Sequence, residues 1–439
     1  MFAESLFFKV VDMKKIQCLF FYLLFFYVCN AQDINSIIVQ HEAERIEQIL
    51  SSDSMEGRKI FTPGIEKAAD FISAEFKKTG LQTLNGLNGY RQNFEMLRPK
   101  FISLSCTLDG LTIEEKNVVV ITAQENLDVT EQSSYEKSAI DAQDNFFQKA
   151  MSLMESKKNS IVLVDTSFSK YFGRLLSFKK QLFAGRSNVI FILTNKNPQQ
   201  YSIKAKHSFE RRRLSNIVGV LPGKSLPEEY VIFSAHYDHL GIGKTENNDS
   251  IYNGANDDAS GTTAVILLAK YFKALGNNAR TLIFAAFTAE EPGGLGSQYF
   301  SKQLKAEQVM AMLNIEMIGT ESKWGRNSAY ITGYEKTDMG KILQNNLKGS
   351  QFEFHPDPYT AQKLFYRSDN AALARLGVPA HTVSTSKMDD EPNYHKPSDE
   401  MGTLDLDNMT EIIKAIALSA AGIVAGRDMP TRVDTGELN

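Results

Sequence analysis

The stretch Tyr230-Val231-Ile232-Phe233-Ser234-Ala235-His236-Tyr237-Asp238-His239 sets a largely apolar run against an abrupt change to polar, metal-type side chains. Residues 230–235 have the composition of a buried strand, and His236 directly follows them. The pattern repeats twice. Residues 281–287 form the next apolar run, with Glu290 and Glu291 shortly after it, and Glu316 ends the run through Leu313-Asn314-Ile315. Helical spacing separates these runs: Ala264, Leu267, Leu268 and Phe272 fall on one side of 261–274. Further helices are expected over 295–304, 339–347 and 405–423, and a last strand over 378–383. Strands alternating with helices predict an α/β fold, an open mixed and mostly parallel sheet with helices on both faces.

Toward the N-terminus, 43–50 reads as a helix. Thr62-Pro63-Gly64 opens a second, whose apolar positions Ala68, Ala69, Phe71, Ile72 and Phe76 keep helical spacing up to a C-cap at Gly80. Between 93 and 213 the texture changes. Short β-like runs at 118–121, 160–164 and 188–193 alternate with polar stretches, and no ligand cluster occurs there. This segment reads as a smaller β-rich inserted domain that divides the catalytic domain into 32–92 and 214–426. The alternative is a continuous part of the core. Residues 427–439 read as a polar, frayed tail.

Lys14 and Lys15 precede an apolar run of 11 residues from Cys18 to Val28, and Cys29-Asn30-Ala31 resembles a small-residue cleavage site. Residues 1–31 are therefore expected to be a signal peptide. The run is too short to cross a bilayer comfortably, so no stable span is expected after cleavage. Cys106 is then the remaining thiol of the three in the chain, which excludes an internal disulfide and a Cys-based zinc site. These readings predict an exported protein, periplasmic or extracellular, held together by its core. A net charge of -4 with no dominant Lys/Arg cluster gives no footing for a nucleic-acid partner, and Arg211-Arg212-Arg213 reads as a solvated loop.

Five metal-type side chains lie at strand ends or in loops: His236, Asp257, Glu291, Glu316 and His395. Sites in open α/β sheets lie beyond the carboxyl ends of strands, so the first and the Glu positions should converge at one rim. A lone His or Asp in a loop is more often structural. The joint placement points to metal, because the adjacent pairs Glu290-Glu291 and Asp257-Asp258 repel at a desolvated rim unless a cation offsets them. Carboxylates with neutral imidazoles suit zinc best, with cobalt or manganese as alternatives. Such a set can hold two divalent ions, and one spare carboxylate can serve as base in amide hydrolysis without a covalent nucleophile.

Over about 43–89 and 216–422 the chain resembles the M28 family of metallopeptidases. The matching pieces are Asn216-Ile217-Val218-Gly219, His236-Tyr237-Asp238, Gly254-Ala255-Asn256-Asp257-Asp258-Ala259-Ser260-Gly261, Ala289-Glu290-Glu291, Asn314-Ile315-Glu316-Met317-Ile318-Gly319, Arg367-Ser368-Asp369 and Tyr394-His395. The middle segment is more loosely similar to the protease-associated module inserted in many members. The resemblance implies a two-zinc exopeptidase acting on peptide substrates. Asp257 would bridge the ions, with Glu291 and His395 completing one and His236 and Glu316 the other. It implies Glu290 as general base, Tyr394 as donor to the substrate carbonyl, Asp238 as the group that orients His236, and Arg367 as a contact for a substrate or product carboxylate. Many members carry Asp where this chain has Glu316. The extra methylene moves the carboxylate by about 1.5 Å, which bears on the second ion and on how a substrate amine is held.

Two alternatives stay open. A glutaminyl cyclase-like aminoacyl transferase on the same fold would resemble one-zinc relatives, against which His236 argues. A non-catalytic peptide-binding protein predicts a missing ligand or base, and none is missing. Side-chain preference, single-residue against dipeptidyl or carboxypeptidase action, and oligomeric state are not specified by the sequence. His239 reads equally as a cleft wall or a loop hydrogen-bonding group, His381 as a satisfied core histidine, and Trp324 as pocket border or packing.

Overall fold

In the computed structural model, which describes residues 33–438, the apolar runs become the centre of one large mixed sheet. From one edge its order is Glu353–Pro356, Ser328–Ile331, Ala380–Ser384, Val309–Ile315, Leu226–His236, Arg280–Phe287, Tyr201–Leu221, Arg91–Leu108 and Leu111–Thr112. The four strands from Ala380–Ser384 to Arg280–Phe287 are parallel. Antiparallel strands extend this centre on both flanks.

The period of two along each central strand gives the sheet two buried faces. Val231, Phe233 and Ala235 point into one core, shared with the helices Gln40–Leu50, Pro63–Thr79, Ser260–Leu275 and Leu406–Ser419. Ile232 joins Ile283, Phe287 and Met312 in a second core, closed by Phe300 and Leu373 from the short helices Leu295–Ser301 and Asn370–Ala374. Phe233 stacks on Phe272 at 5.2 Å and on Phe284 at 5.7 Å. Each such buried side chain contributes roughly 1.5–3 kcal/mol. The helix at 63–79 ends as expected, with Gly80 at φ 74° and its N–H on the carbonyls of Phe76 and Lys77. The expected closing helix breaks at Ala420 into Leu406–Ser419 and Ala421–Val424.

Within 93–213 a separate four-stranded sheet forms, in the order Val118–Ile121, Val189–Leu193, Ser160–Val164 and Glu136–Ile140, with apolar clusters on its two sides. The sequence reading did not anticipate its attachment. Arg91–Leu108 and Tyr201–Leu221 pair as one long antiparallel ribbon, from Arg91 opposite Ile217 to Leu108 opposite Tyr201. Arg211-Arg212-Arg213 belong to this ribbon and not to a loop. They are solvated on an exposed strand, where Arg211 meets Glu95 at 3.1 Å and Arg212 meets Glu210 at 2.7 Å.

Residues 427–438 are docked and not frayed. The Arg432 guanidinium donates to the carbonyls of Val309 (2.7 Å) and Ala306 (2.9 Å), and Val433 is buried in the second core. Cys106 is buried as a free thiol. The expected signal peptide, 1–31, lies outside the described residues, among which no helix is long and apolar enough to cross a membrane.

Candidate metal centre

His236 closes Leu226–His236, Glu290 and Glu291 follow Arg280–Phe287, and Glu316 follows Val309–Ile315. These are neighbouring parallel strands, so their carboxyl ends share one rim. Asp257 enters from the kinked turn Ala255–Ala259, whose Asp257–Asp258 peptide is cis. The following helix starts hard against the Glu316 strand. A Cβ on Gly261 would lie 2.4 Å from the Ile315 carbonyl oxygen, so only glycine permits the approach.

The five expected ligands come together. Asp257 presents Oδ1 to His236 Nε2 at 3.2 Å and Oδ2 to His395 Nε2 at 3.2 Å. Glu316 Oε1 is 3.2 Å from His236 Nε2, and Glu291 Oε2 is 3.3 Å from His395 Nε2. Donors about 2.0–2.2 Å from a tetrahedral ion stand about 3.3–3.6 Å apart. The spacing therefore fits one cation on each side of Asp257. The longer Glu316 arm does not spoil this, because Ser368 Oγ donates to its second oxygen at 2.6 Å and fixes the carboxylate.

The other expected residues surround the pair. Glu290 Oε2 lies 4.0 Å from His236 Nε2, and its main-chain N–H donates to Asp238 Oδ1 at 3.0 Å. Asp238 differs from expectation. His236 Nδ1 is hydrogen-bonded to the Asp238 main-chain carbonyl at 3.0 Å, while the carboxylate stands 3.8 Å away, drawn toward the Glu290 N–H. Orientation of the imidazole thus runs through the backbone of Asp238. Tyr394 stacks on His395 with ring centres 3.9 Å apart, and Arg367 Nη2 donates to its hydroxyl at 3.3 Å. A cavity of about 50 Å³ beside Glu316 is walled by Met317, Tyr330, Leu364, Met388 and Tyr394 together with the polar Thr332, Arg367, Ser368, Thr382 and Ser384.

The electrostatics favour positive charge at both positions. Burial alone would lower His395, but the hydrogen bonds it donates to Asp257 and Glu291 outweigh it and raise the imidazole to about 10. Burial likewise opposes charge on His236, and Glu316 and Asp257 outweigh it to push it well above its ordinary value. Glu290 is pushed well above the carboxylate range by burial first, with Glu316 among the acids that add to this.

Two buried groups, Asp399 and Arg58, escaped the sequence reading of the site, and two others, Asp258 and His239, have partners it did not specify. Asp258 is not a ligand. Its oxygens accept the N–H groups of Gly261 (3.0 Å), Met317 (3.0 Å) and His236 (3.3 Å), which ties three site loops together. Asp399 accepts from the N–H of Asn256 (2.8 Å) and of Asp257 (3.0 Å). Arg58 donates to the carbonyls of Tyr237, Leu50, Asn253 and Gly254. His239 lies against Glu291, with Nδ1 2.8 Å from Oε1. The one available signal was the Asp-Asp pair; the others are separated from their partners by long stretches of chain. His381 is the satisfied core histidine expected, bonded to Thr332 O at 2.8 Å and Thr337 Oγ1 at 2.7 Å. Trp324 stacks on His355 at 4.1 Å.

Residues 216–420 match the family model described as Peptidase family M28. A protein of Trichophyton verrucosum named "Probable leucine aminopeptidase" is 31% identical over 209 residues, which cover 45% of this chain and 54% of that protein. Leucine aminopeptidase 1 of Ajellomyces capsulatus is 28% identical over 276 residues, covering 58% and 69%. The chain thus spans about half the length of the first of these relatives. Among solved structures, an aminopeptidase from Aneurinibacillus sp. strain AM-1 superposes with a TM-score of 0.52 at 16% identity, covering 93% of this chain and 99% of that one. A zinc aminopeptidase from Bacillus subtilis gives a TM-score of 0.52 at 16% identity, covering 89% and 96%. The segment that carries every expected ligand is thus the one that matches Peptidase family M28, on a fold shared with these aminopeptidases.

Proposed function

We propose that this protein is a zinc-dependent aminopeptidase holding two ions per chain. The observation that carries the reading is Asp257, buried and offering one oxygen to each of two histidine–glutamate pairs. His236, Asp257 and Glu316 would hold one ion, and Asp257, Glu291 and His395 the other. Zinc, when bound, supplies a Lewis acid and a water acidic enough to ionise near neutral pH.

The chain's own residues do the rest. Glu290, whose carboxyl is raised by burial, accepts the proton of the attacking water and returns it to the leaving amine. Tyr394, braced by His395 and Arg367, donates to the substrate carbonyl oxygen as charge builds there. Glu316, held by Ser368, faces the cavity of about 50 Å³ and takes the free amine, while the small cavity, with Met317, Leu364 and Met388 among its walls, favours a small N-terminal side chain. The inserted segment at 93–213 is read as a protease-associated-like module.

Glu290→Gln is expected to keep both zinc ions and lose at least about 100-fold in kcat. Zinc content measured beside turnover checks this; retained turnover or lost zinc counts against the assignment. Aminoacyl amides with free and blocked amines test the substrate class, and cleavage of blocked internal bonds would overturn it. The cyclase reading predicts ammonia release from an N-terminal Gln peptide. The second cation position built around His236 weighs against it.

A further inference from the structure

His239 is 2% exposed, and neither ring nitrogen makes a hydrogen bond among the described residues. An imidazole without a partner is costly at such depth. Its Nδ1 nevertheless sits 2.8 Å from Glu291 Oε1 and 4.0 Å from Asp257 Oδ2. Glu291 Oε1 is itself a buried oxygen without a hydrogen bond. Two polar atoms so close, both without a hydrogen-bond partner by geometry, can both face a third point. His239, Asp257 and Glu291 converge closely enough to hold one ion. The ring has a built seat: a Cβ on Gly254, at φ +58°, would lie 2.6 Å from its Cγ and Cδ2. On the other side of the same position His395 is only half-buried, on a loop, with the two rings 5.8 Å apart edge to face.

We infer that His239 is a direct ligand of the cation shared by Asp257, Glu291 and His395, binding through Nδ1. The inference rests on the two-ion reading above. It makes that position asymmetric: His239 holds the ion from the interior, and His395 closes it from the solvent side. The binding atoms differ in kind, since His236 and His395 turn Nε2 toward the carboxylates whereas His239 turns Nδ1.

The test uses ¹⁵N-labelled full-length protein loaded with ¹¹³Cd. Three histidines with cadmium–nitrogen coupling are expected, two through Nε2 and one through Nδ1. The Nδ1 coupling should vanish in His239→Leu. Coupling to two histidines only, both through Nε2, overturns the inference and leaves the two-ion reading intact. Absence of bound cadmium overturns both. The measurement on the unmodified protein decides even where the variant does not fold. Competition with a chelator gives a second readout. Loss of a mere outer-sphere partner weakens metal by about 10–100-fold, so His239→Leu should exceed that range for one ion and leave the other unchanged. An effect of less than tenfold counts against ligation.

Discussion

Arg58 is the residue on which the site loops rest. It is fully buried, and its guanidinium donates to the carbonyls of Tyr237 (2.9 Å), Leu50 (2.6 Å), Asn253 (2.5 Å) and Gly254 (2.8 Å). Tyr237 lies between His236 and Asp238, and Gly254 opens the turn that delivers Asp257. One side chain therefore braces both loops from below. Removing it leaves four buried acceptors, each costing about 1–3 kcal/mol if it stays dry. Arg58→Leu is expected to lose at least about 4 kcal/mol in urea unfolding of the zinc-free protein. Arg58→Lys should recover only part, because a compact ammonium cannot span the positions a planar fork reaches. An unchanged midpoint in Arg58→Leu would sink this account. Of the five expected ligands, His236, Glu291 and Glu316 could be read from sequence because strand ends announced them. Arg58 could not, because three of its partners are 179, 195 and 196 residues away and nothing local distinguishes it from a loop arginine.

Three helices meet through a small charge cluster. Arg45 on Gln40–Leu50 contacts Glu42 (3.2 Å) and Glu75 (3.0 Å), and Lys270 on Ser260–Leu275 contacts the same two acids at 2.8 and 2.9 Å. The Arg45 hydrogen bond, then that of Lys270, lowers Glu42 from 4.5 to about 2. A lowered folded-state value means the contribution is present above about pH 4.5 and disappears as pH falls through about 2. Glu42→Gln should thus be less stable than the parent by up to about 1 kcal/mol near neutrality, with the gap closing below pH 4.5. Melting both proteins from pH 7 to pH 2.5 checks this; a gap independent of pH would refute it. Helices and central strands were legible because burial imposes a period on them: Ala68, Ile72 and Phe76 on one face, or an unbroken run such as 281–287. The ribbon was not. Over 201–208 of Tyr201–Leu221 buried side chains alternate with polar ones that face outward, and the run of three arginines that follows masks that alternation.

At the level of the molecule, the smaller sheet hangs from the larger by this ribbon. Leu97 pairs with Arg211, so a two-residue Asn-Gly turn can replace 98–210 without disturbing the main-sheet register. All five expected ligands and Glu290 lie outside the excised segment. The shortened protein is expected to bind zinc and to hydrolyse a small aminoacyl amide with kcat/KM within about tenfold of the full chain, or about 1.4 kcal/mol in barrier. Zinc titration and a steady-state assay decide it. Loss of zinc would show that the second sheet supports the metal rim.

The same two-strand fastening bears on how the chain withstands cutting. A module on a flexible linker is freed by one proteolytic nick; here the backbone leaves along one strand and returns along its hydrogen-bonded neighbour. A single break at the distal tip would leave both halves gripped by the ladder, so the nicked protein should still migrate as one body until denatured.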